Sequence, residues 1–357
     1  MMCNRNPKSE IPPGHRHLRA GGRNPKYYIW IGWTFFLITI LLGVVVFSLA
    51  VGAVDLPLRK AFFLLTKGPG TPEYAILFEV RLPRILLGLA VGGGLAISGV
   101  ILQGMFRNPL VEPYTLGISG GAALGVCLNI VADGPRVFGP LATPASGFLG
   151  AMGIIFLVYA ISARGEAIRL SRLLLIGVMV SFMASSLIML VMAVTRTEDL
   201  HGIIFWIMGS LEEPNSSLIR ATLFISLGGM MLSFLFAVDL NALSLGEEEA
   251  FHLGVEVDRV KKTLFVIASL LTGCCVAVAG IIGFVGLVVP HLMRLLVGGD
   301  HRILLVASYI SGAAFLILCD TLARVVIAPT EFPVGVITGL VGGAVFIYAM
   351  SRKSYSF

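Results

Sequence analysis

Apolar residues fill ten long blocks of this chain, and charged residues are confined almost entirely to the gaps between them. The blocks fall at about 27–50, 85–106, 114–132, 145–161, 173–194, 218–238, 263–282, 284–298, 303–319 and 333–350. Each has, or nearly has, the ~20 residues that a helix needs to cross hydrocarbon. A backbone in lipid must satisfy its own hydrogen bonds, so the blocks predict helices. The eighth is short and follows the seventh with only Gly283 and its neighbours between them. Glycine accepts dihedrals that other residues refuse. The stretch Ile281-Ile282-Gly283-Phe284-Val285-Gly286 therefore predicts either a tight turn or a kink in one long tilted helix. The turn gives ten crossings and the kink gives nine. The fold class is all-α, a polytopic membrane protein.

With 57% hydrophobic and 13% charged residues and a mean hydropathy of +0.92, the 357-residue chain has too little polar surface to coat a water-soluble globule. Soluble-enzyme readings are thereby excluded. Ten crossings starting inside put 17 Lys and Arg on the cytoplasmic side and nine on the other. That positive-inside bias puts both termini in the cytoplasm. It also accounts for the net charge of +6, so no nucleic-acid partner is implied. Residues 1–26, with Pro7, Pro12, Pro13, Gly14, Gly21 and Gly22, predict a basic disordered tail ahead of a membrane domain over 27–353. His15 and His17 read as part of that solvated tail, in preference to a metal site. The first block is longer than the ~7–15-residue core of a cleaved signal, so it reads as a span. Cys3, Cys127, Cys274, Cys275 and Cys319 lack paired zinc-type spacing and read as small packing residues.

Small residues recur every four positions at Gly88, Gly92 and Ala96, at Gly117, Gly121 and Gly125, and at Gly335, Gly339 and Gly343. Such stripes let helix backbones approach closely in lipid. Packing within the subunit is the simpler use; the last stripe is the candidate for a subunit seam. Ala96-Ile97-Ser98-Gly99-Val100-Ile101 resembles Ala277-Val278-Ala279-Gly280-Ile281-Ile282 at an offset of 181, which also relates Pro109 to Pro290. Five helices is an odd number, so a repeat of five is inverted, as in many transporters.

Four polar islands interrupt the blocks. Arg81-Leu82-Pro83-Arg84 lies at the outer mouth of the second, with the proline suited to a first helical turn. Arg324, just after the ninth block, is a third outer arginine. Snorkelling at the interface is one use for them; outward guanidinium forks that meet carboxylates on a docking partner are the other. Arg107-Asn108-Pro109-Leu110-Val111-Glu112-Pro113 predicts a stiff inner turn, suited to a constriction. The longest inner connection carries Leu245, Gly246, Glu247, Glu248, Glu249, Ala250, Phe251, His252, Leu253 and Gly254. Glutamates in a first turn favour a helix start, and Gly254 suits a left-handed stop. Leu245, Ala250 and Leu253 offer apolar contacts, and a second short helix is predicted from Val257, which together make a docking knob over 245–262. Pro290, His291 and Arg294 sit in or beside the eighth block, where His291 reads as hydrogen-bonded structure in preference to a ligand. Asp320 is read the same way.

The chain has no Gly-x-x-x-x-Gly-Lys-Ser/Thr phosphate loop and no His-Glu-x-x-His. No span carries a row of carboxylates that would relay protons or sodium. Energy for uphill transport is therefore expected from another polypeptide. A secondary transporter or a membrane enzyme stays open at this point, though each lacks its expected constellation.

Several motifs occur in the order of one family: Arg81-Leu82-Pro83-Arg84, Gln103, Arg107-Asn108-Pro109-Leu110, Leu116-Gly117 and Gly121-Ala122-Ala123-Leu124-Gly125. They continue with Trp206-Ile207-Met208-Gly209-Ser210-Leu211, the island at 245–254, the run from Gly283 to Arg294 through Pro290-His291, and Phe332-Pro333-Val334-Gly335-Val336-Ile337-Thr338-Gly339. From about residue 28 to 353 the chain resembles permease subunits of ABC importers for iron–siderophores, haem and cobalamin. The resemblance implies ten helices per subunit, a second permease copy, and a pathway along the seam, lined by the fifth and tenth helices. It implies two ATPase subunits that carry the ATP and Mg, seated on the island at 245–254, with no cofactor on this chain. It implies a periplasmic or lipid-anchored binding protein whose carboxylates meet Arg81, Arg84 and Arg324, and an inner gate at Asn108, Pro109 and Leu110. The location implied is the bacterial or archaeal cytoplasmic membrane.

Overall fold

The apolar blocks form helices, and among the described residues no strand interrupts them. The structure is a computed structural model that describes residues 25–52, 70–162, 170–327 and 330–352. Most of the predicted basic tail, with His15 and His17, lies outside the described residues, as do Arg59, Lys60, Lys67, Arg164, Arg169 and Lys353. The helices are α1 (Pro25–Ala50), α2 (Leu82–Phe106), α3 (Ile118–Val131), α4 (Ala142–Ser162), α5 (Leu170–Val194), α6 (Thr197–Met208), α7 (Ser216–Leu235), α8 (Ala237–Leu245), α9 (Glu247–His252), α10 (Val257–Ala279), α11 (Val285–Val297), α12 (His301–Val325) and α13 (Val334–Arg352). Eight of them are long and apolar enough to cross a membrane; α3 and α11 are apolar but have only 14 and 13 residues. Together they match the ten predicted blocks. α6 has no predicted counterpart, because a 12-residue helix opening on Glu198 and Asp199 resembles a polar connection.

Between α10 and α11 the backbone is a turn, not a kink. Residues 280–284 leave the helical path, with Gly280 and Phe284 both in left-handed conformations at φ 69° and 68°. A side chain at Gly280 would strike the Trp206 carbonyl, which fixes that position as glycine. The predicted equivalence at offset 181 does not survive. Gly99 and Val100 lie inside α2, whereas their equivalents Gly280 and Ile281 lie in this turn, and Pro109 is in a loop while Pro290 is inside α11. The repeat is instead visible in helix lengths. α2, α3 and α4 run long, short, long at 25, 14 and 21 residues, and α10, α11 and α12 do so at 23, 13 and 25.

α2 is buried on all sides and forms the axis of the bundle. Its glycines allow this. A side chain at Gly92 would overlap the Gly312 carbonyl of α12, and one at Gly99 would overlap the Gly286 carbonyl of α11. Gly121 and Gly125 serve the same purpose against α4. The stripe on α13 divides: Gly335 packs on the Met208 carbonyl, a side chain at Gly343 would come within 3.8 Å of the Phe284 ring, and Gly339 faces open space. Of the three residues assigned to a subunit seam, Gly335 is thus used inside the subunit.

Helical turns continue upstream of α2 as far as Pro72, through a π-turn at Ile76–Arg81. The prediction that Pro83 opens a helix is corrected accordingly. The wide turn just ahead of the proline accommodates its missing N–H. α12 runs to Val325, so Arg324 lies in its last turn instead of beyond it.

Candidate functional site

Three groups of residues carry the candidate chemistry: one at each end of the bundle and one between them. The end that holds Arg107, Lys261, Lys262, Arg294 and Arg302 is called here the basic end.

At the basic end, α8 and α9 meet at Gly246, whose φ of 147° suits only glycine, and α9 closes on Gly254 at φ 88°. The turn exposes three apolar side chains, Leu245 at 64%, Phe251 at 68% and Leu253 at 65%. Exposed apolar groups clustered this way mark a surface that another body covers. Ala250, predicted as part of that surface, is fully buried, and Phe251 stands in its place. No second short helix forms; Val257 opens the spanning helix α10 directly. Lys261 is buried and its Nζ lies 2.8 Å from Glu247 Oε2 and 3.6 Å from Asp258 Oδ1. Glu247 therefore anchors α9 to α10, while Glu248 and Glu249 stay exposed.

Asn241 of α8 holds the knob to the rest of the molecule. Its Nδ2 donates to Asp300 Oδ1 at 2.9 Å, and its Oδ1 accepts from the His301 backbone N–H at 2.8 Å. The His301 ring Nδ1, also 2.8 Å from that oxygen, must carry the proton. Asp300 caps α12 through the Arg302 N–H at 3.0 Å. The knob is thus fastened to the first turn of α12, a link that the sequence does not reveal because 59 residues separate Asn241 from Asp300.

The middle group joins the predicted inner turn to the break before α11. Asn108 Oδ1 accepts from the Leu110 N–H at 2.9 Å, forming the stiff turn that the Asn-Pro pair predicts, and leaves Leu110 exposed beside Pro109. Beyond it, the Tyr114 hydroxyl donates to the Ile282 carbonyl at 2.9 Å and accepts from the Ile282 N–H at 3.1 Å. The Glu112 carboxylate accepts from the Phe284 N–H. Helices of 13 or 14 residues span roughly 20 Å, short of the ~30 Å hydrocarbon core. Their non-helical leads therefore lie at membrane depth, where backbone groups must find partners inside the protein. Here the Tyr114 and Glu112 side chains of the first lead supply the partners of the second lead's backbone. Pro290 inside α11 cannot bond the Gly286 carbonyl four residues back. Gln103 Nε2 takes that carbonyl at 3.3 Å and the Leu287 carbonyl at 3.2 Å. His291 is buried with its ring edge-on to Phe346 of α13 at 5.5 Å, and Arg294 is half-buried toward the basic end.

At the opposite end the arginines face inward, which corrects their prediction as open forks. All three are buried. Arg81 Nη1 donates to the Leu49 carbonyl of α1. Arg324 bonds Asp320 Oδ2 at 3.0 Å, Ser48 Oγ at 2.9 Å and Thr321 Oγ1 at 3.3 Å. Arg84 Nη2 pairs with Glu212, and its Nη1 lies 2.7 Å from Glu331 Oε2. A buried guanidinium without partners costs several kcal/mol, so burial and pairing arrive together. Glu212 and Glu331, which the sequence does not single out, line a cavity of ≈ 410 Å³ with Phe205, Trp206, Ser210 and Phe332. Among the described residues, no three His, Cys, Asp or Glu side chains converge as a metal site, and Cys127, Cys274, Cys275 and Cys319 are free thiols.

The chain is 38% identical over 322 residues to a hemin transport system permease protein of Yersinia pestis, covering 89% of this chain and 95% of that protein. It is 42% identical over 286 residues to a cobalamin import system permease protein of Halobacterium salinarum, covering 80% and 76%. A solved inward-facing structure of a metal-chelate type ABC transporter superposes with a TM-score of 0.80 at 34% identity, covering 92% of this chain and all of the other. Residues 40–352 match the FecCD transport family, and the chain belongs to it.

Proposed function

We propose that this ABC importer permease carries an iron–siderophore chelate across the cytoplasmic membrane, with both termini in the cytoplasm. Cobalamin or haem is the second reading, supported by relatives at similar identity whose names carry those two cargoes. The basic end then faces the cytoplasm, as the positive-inside rule requires. One ATPase subunit seats on this knob and a second on that of a second permease copy, which completes the pathway; the ATPases hold the ATP and Mg, and a binding protein docks at the opposite end near Arg81, Arg84 and Arg324. The observation that carries this reading is the exposed apolar triplet Leu245, Phe251 and Leu253 on a knob that is bonded to α12.

Mechanically, ATP-driven closure of the ATPases displaces the knob, and Asn241 passes the displacement to α12. That helix of 25 residues is roughly 38 Å long, and its far turn carries Asp320 and Arg324. One rigid helix thereby joins the motor's seat to the docking end. The helices exchange between inward-open and outward-open packings, and each partner biases the populations. The ion pairs that tie the opposite end through Arg84 support reading the packing described here as the inward-open one. Asn108, Pro109 and Leu110 stand at the inner constriction.

Reconstitution with a cognate ATPase and binding protein tests the assignment. ATP-dependent accumulation of a ferric hydroxamate, compared with haem and cobalamin, ranks the cargoes. Accumulation driven by an ion gradient without the ATPase overturns the proposal. Asn241→Leu removes all three bonds that the Asn241 side chain makes to the start of α12 and is expected to lower coupled uptake at least tenfold, since each bond is worth about 1 kcal/mol and 1.4 kcal/mol is tenfold. ATPase binding, measured by co-purification, is expected to stay unchanged.

A further inference from the structure

We propose that Glu212 and Glu331 form a latch with Arg84, holding the outer end closed as internal stand-ins for the carboxylates of the docking partner. The proposal rests on the docking reading of Arg84 and adds what must happen before docking can use it.

Arg84 sits in the first turn of α2, the buried axis of the bundle, and its side chain is only 6% exposed. Both of its Nη groups are taken, Nη2 by Glu212 and Nη1 by Glu331 at 2.7 Å. The carboxylates come from two separate rim segments. Glu212 lies between α6 and α7, and Glu331 lies just ahead of α13. Their own side chains keep 64% and 39% exposure. An incoming carboxylate therefore reaches Arg84 only by displacing one of them.

Three features make the exchange favourable. One guanidinium faces two carboxylates here, so the second adds charge that the site does not need for neutrality. Arg324 is paired with Asp320, whose charge also reaches Arg84, and bonds neither glutamate. Partly exposed ion pairs are individually weak, so the resident carboxylates are held loosely compared with a desolvated interface pair. Glu79 and Glu213 line the adjoining surface beside Arg84, so the resident carboxylates sit in a local excess of negative charge that weakens their hold.

Exchange at Arg84 has a mechanical consequence. Glu212 and Glu331 come from separate segments and both line the ≈ 410 Å³ cavity that Trp206 and Phe332 also line. Past Glu331, Gly335 rests on the Met208 carbonyl at the end of α6. Arg84 thus draws the start of α13 and the α6–α7 connection together over the cavity. Carboxylates supplied from outside satisfy Arg84 without joining the two rims to each other, so docking frees α13 to move away from α6.

The test uses the full complex in nanodiscs and its cognate binding protein. Its affinity is measured for wild type, for Glu212→Gln with Glu331→Gln, for Glu79→Gln with Glu213→Gln, and for Arg84→Gln. The second pair removes the same charge from the same face without touching Arg84. Spin labels at Ser210 and Thr330 report the distance between the rims. The latch predicts at least tenfold tighter docking for the first pair than for the second, and a widened rim distance in the first pair without any binding protein. Equal affinities for the two pairs together with an unchanged distance overturn the latch while leaving the docking reading intact, provided that Arg84→Gln weakens docking. If Arg84→Gln docks as wild type, the docking reading fails and the exchange fails with it.

Discussion

Gly99→Leu will leave almost no folded permease in the membrane. A side chain at this position points from the axial helix α2 into the backbone carbonyl of Gly286 in α11. A carbonyl cannot rotate away as a flexible side chain can, and this one already accepts from Gln103 at 3.3 Å because Pro290 cannot reach it. Overpacking a well-filled core costs about 1–3 kcal/mol for added methylenes. A branched side chain driven into backbone separates α2 from α11 and breaks the Gln103 bonds as well. Since whole domains are stable by only about 5–15 kcal/mol, the expected loss is a large part of the total. The measurement is the monodisperse fraction after extraction, followed by thermal unfolding in detergent. Gly153→Ala and Gly228→Ala are the controls, since a side chain at either meets nothing within 4 Å. They are expected to unfold at or slightly above the wild-type temperature, because alanine favours helix over glycine by ~1 kcal/mol. Wild-type behaviour of Gly99→Leu would mean that α2 and α11 do not meet at this point.

The ten spans were legible because a 20-residue apolar run has few other fates in a membrane protein. The break at 280–284 was legible only as a choice. Gly283 marked it, but the residues that decide it are Gly280, against the Trp206 carbonyl, and Phe284, at a positive φ that its identity does not advertise. Helix stripes at Gly88, Gly92 and Gly121 identified close packing correctly, since backbone proximity needs small residues wherever the partner lies. What the stripe could not give was the partner, and Gly335 turned out to pack on α6. The arginines show the same limit more sharply. Arg81-Leu82-Pro83-Arg84 was visible as a motif, but whether its forks point out or in depends on Glu212 and Glu331, more than a hundred positions away. Glu112, Tyr114 and Gln103 are read as loop and helix residues until the structure brings them against backbone groups that nothing local can satisfy.

Phe251→Asp, alone or with Leu253→Asp, will abolish ATP-coupled uptake in a chain that still folds. Both side chains are about two-thirds exposed, so their loss leaves no cavity, and Ala250 beside them keeps α9 packed. Their value lies in what covers them. Buried aromatic anchors at interfaces often cost 2–4 kcal/mol on truncation, and an introduced carboxylate adds its own desolvation. By the factor of ten per 1.4 kcal/mol, ATPase affinity should fall about 30-fold to 1,000-fold. Charge substitutions nearby behave differently according to their partners. Glu248→Lys with Glu249→Lys changes exposed charges, so its effect is expected to be small and to fade with added salt. Glu247→Lys places a cation against the buried Lys261, which is 2.8 Å from the present carboxylate, and is expected to loosen the knob itself. Co-purification of the ATPase, ATP-driven uptake and thermal unfolding of the isolated permease separate these cases. Phe251→Asp should fail the first two and pass the third, whereas Glu247→Lys should fail all three. Retention of uptake by Phe251→Asp would show that the motor grips the permease somewhere other than this knob.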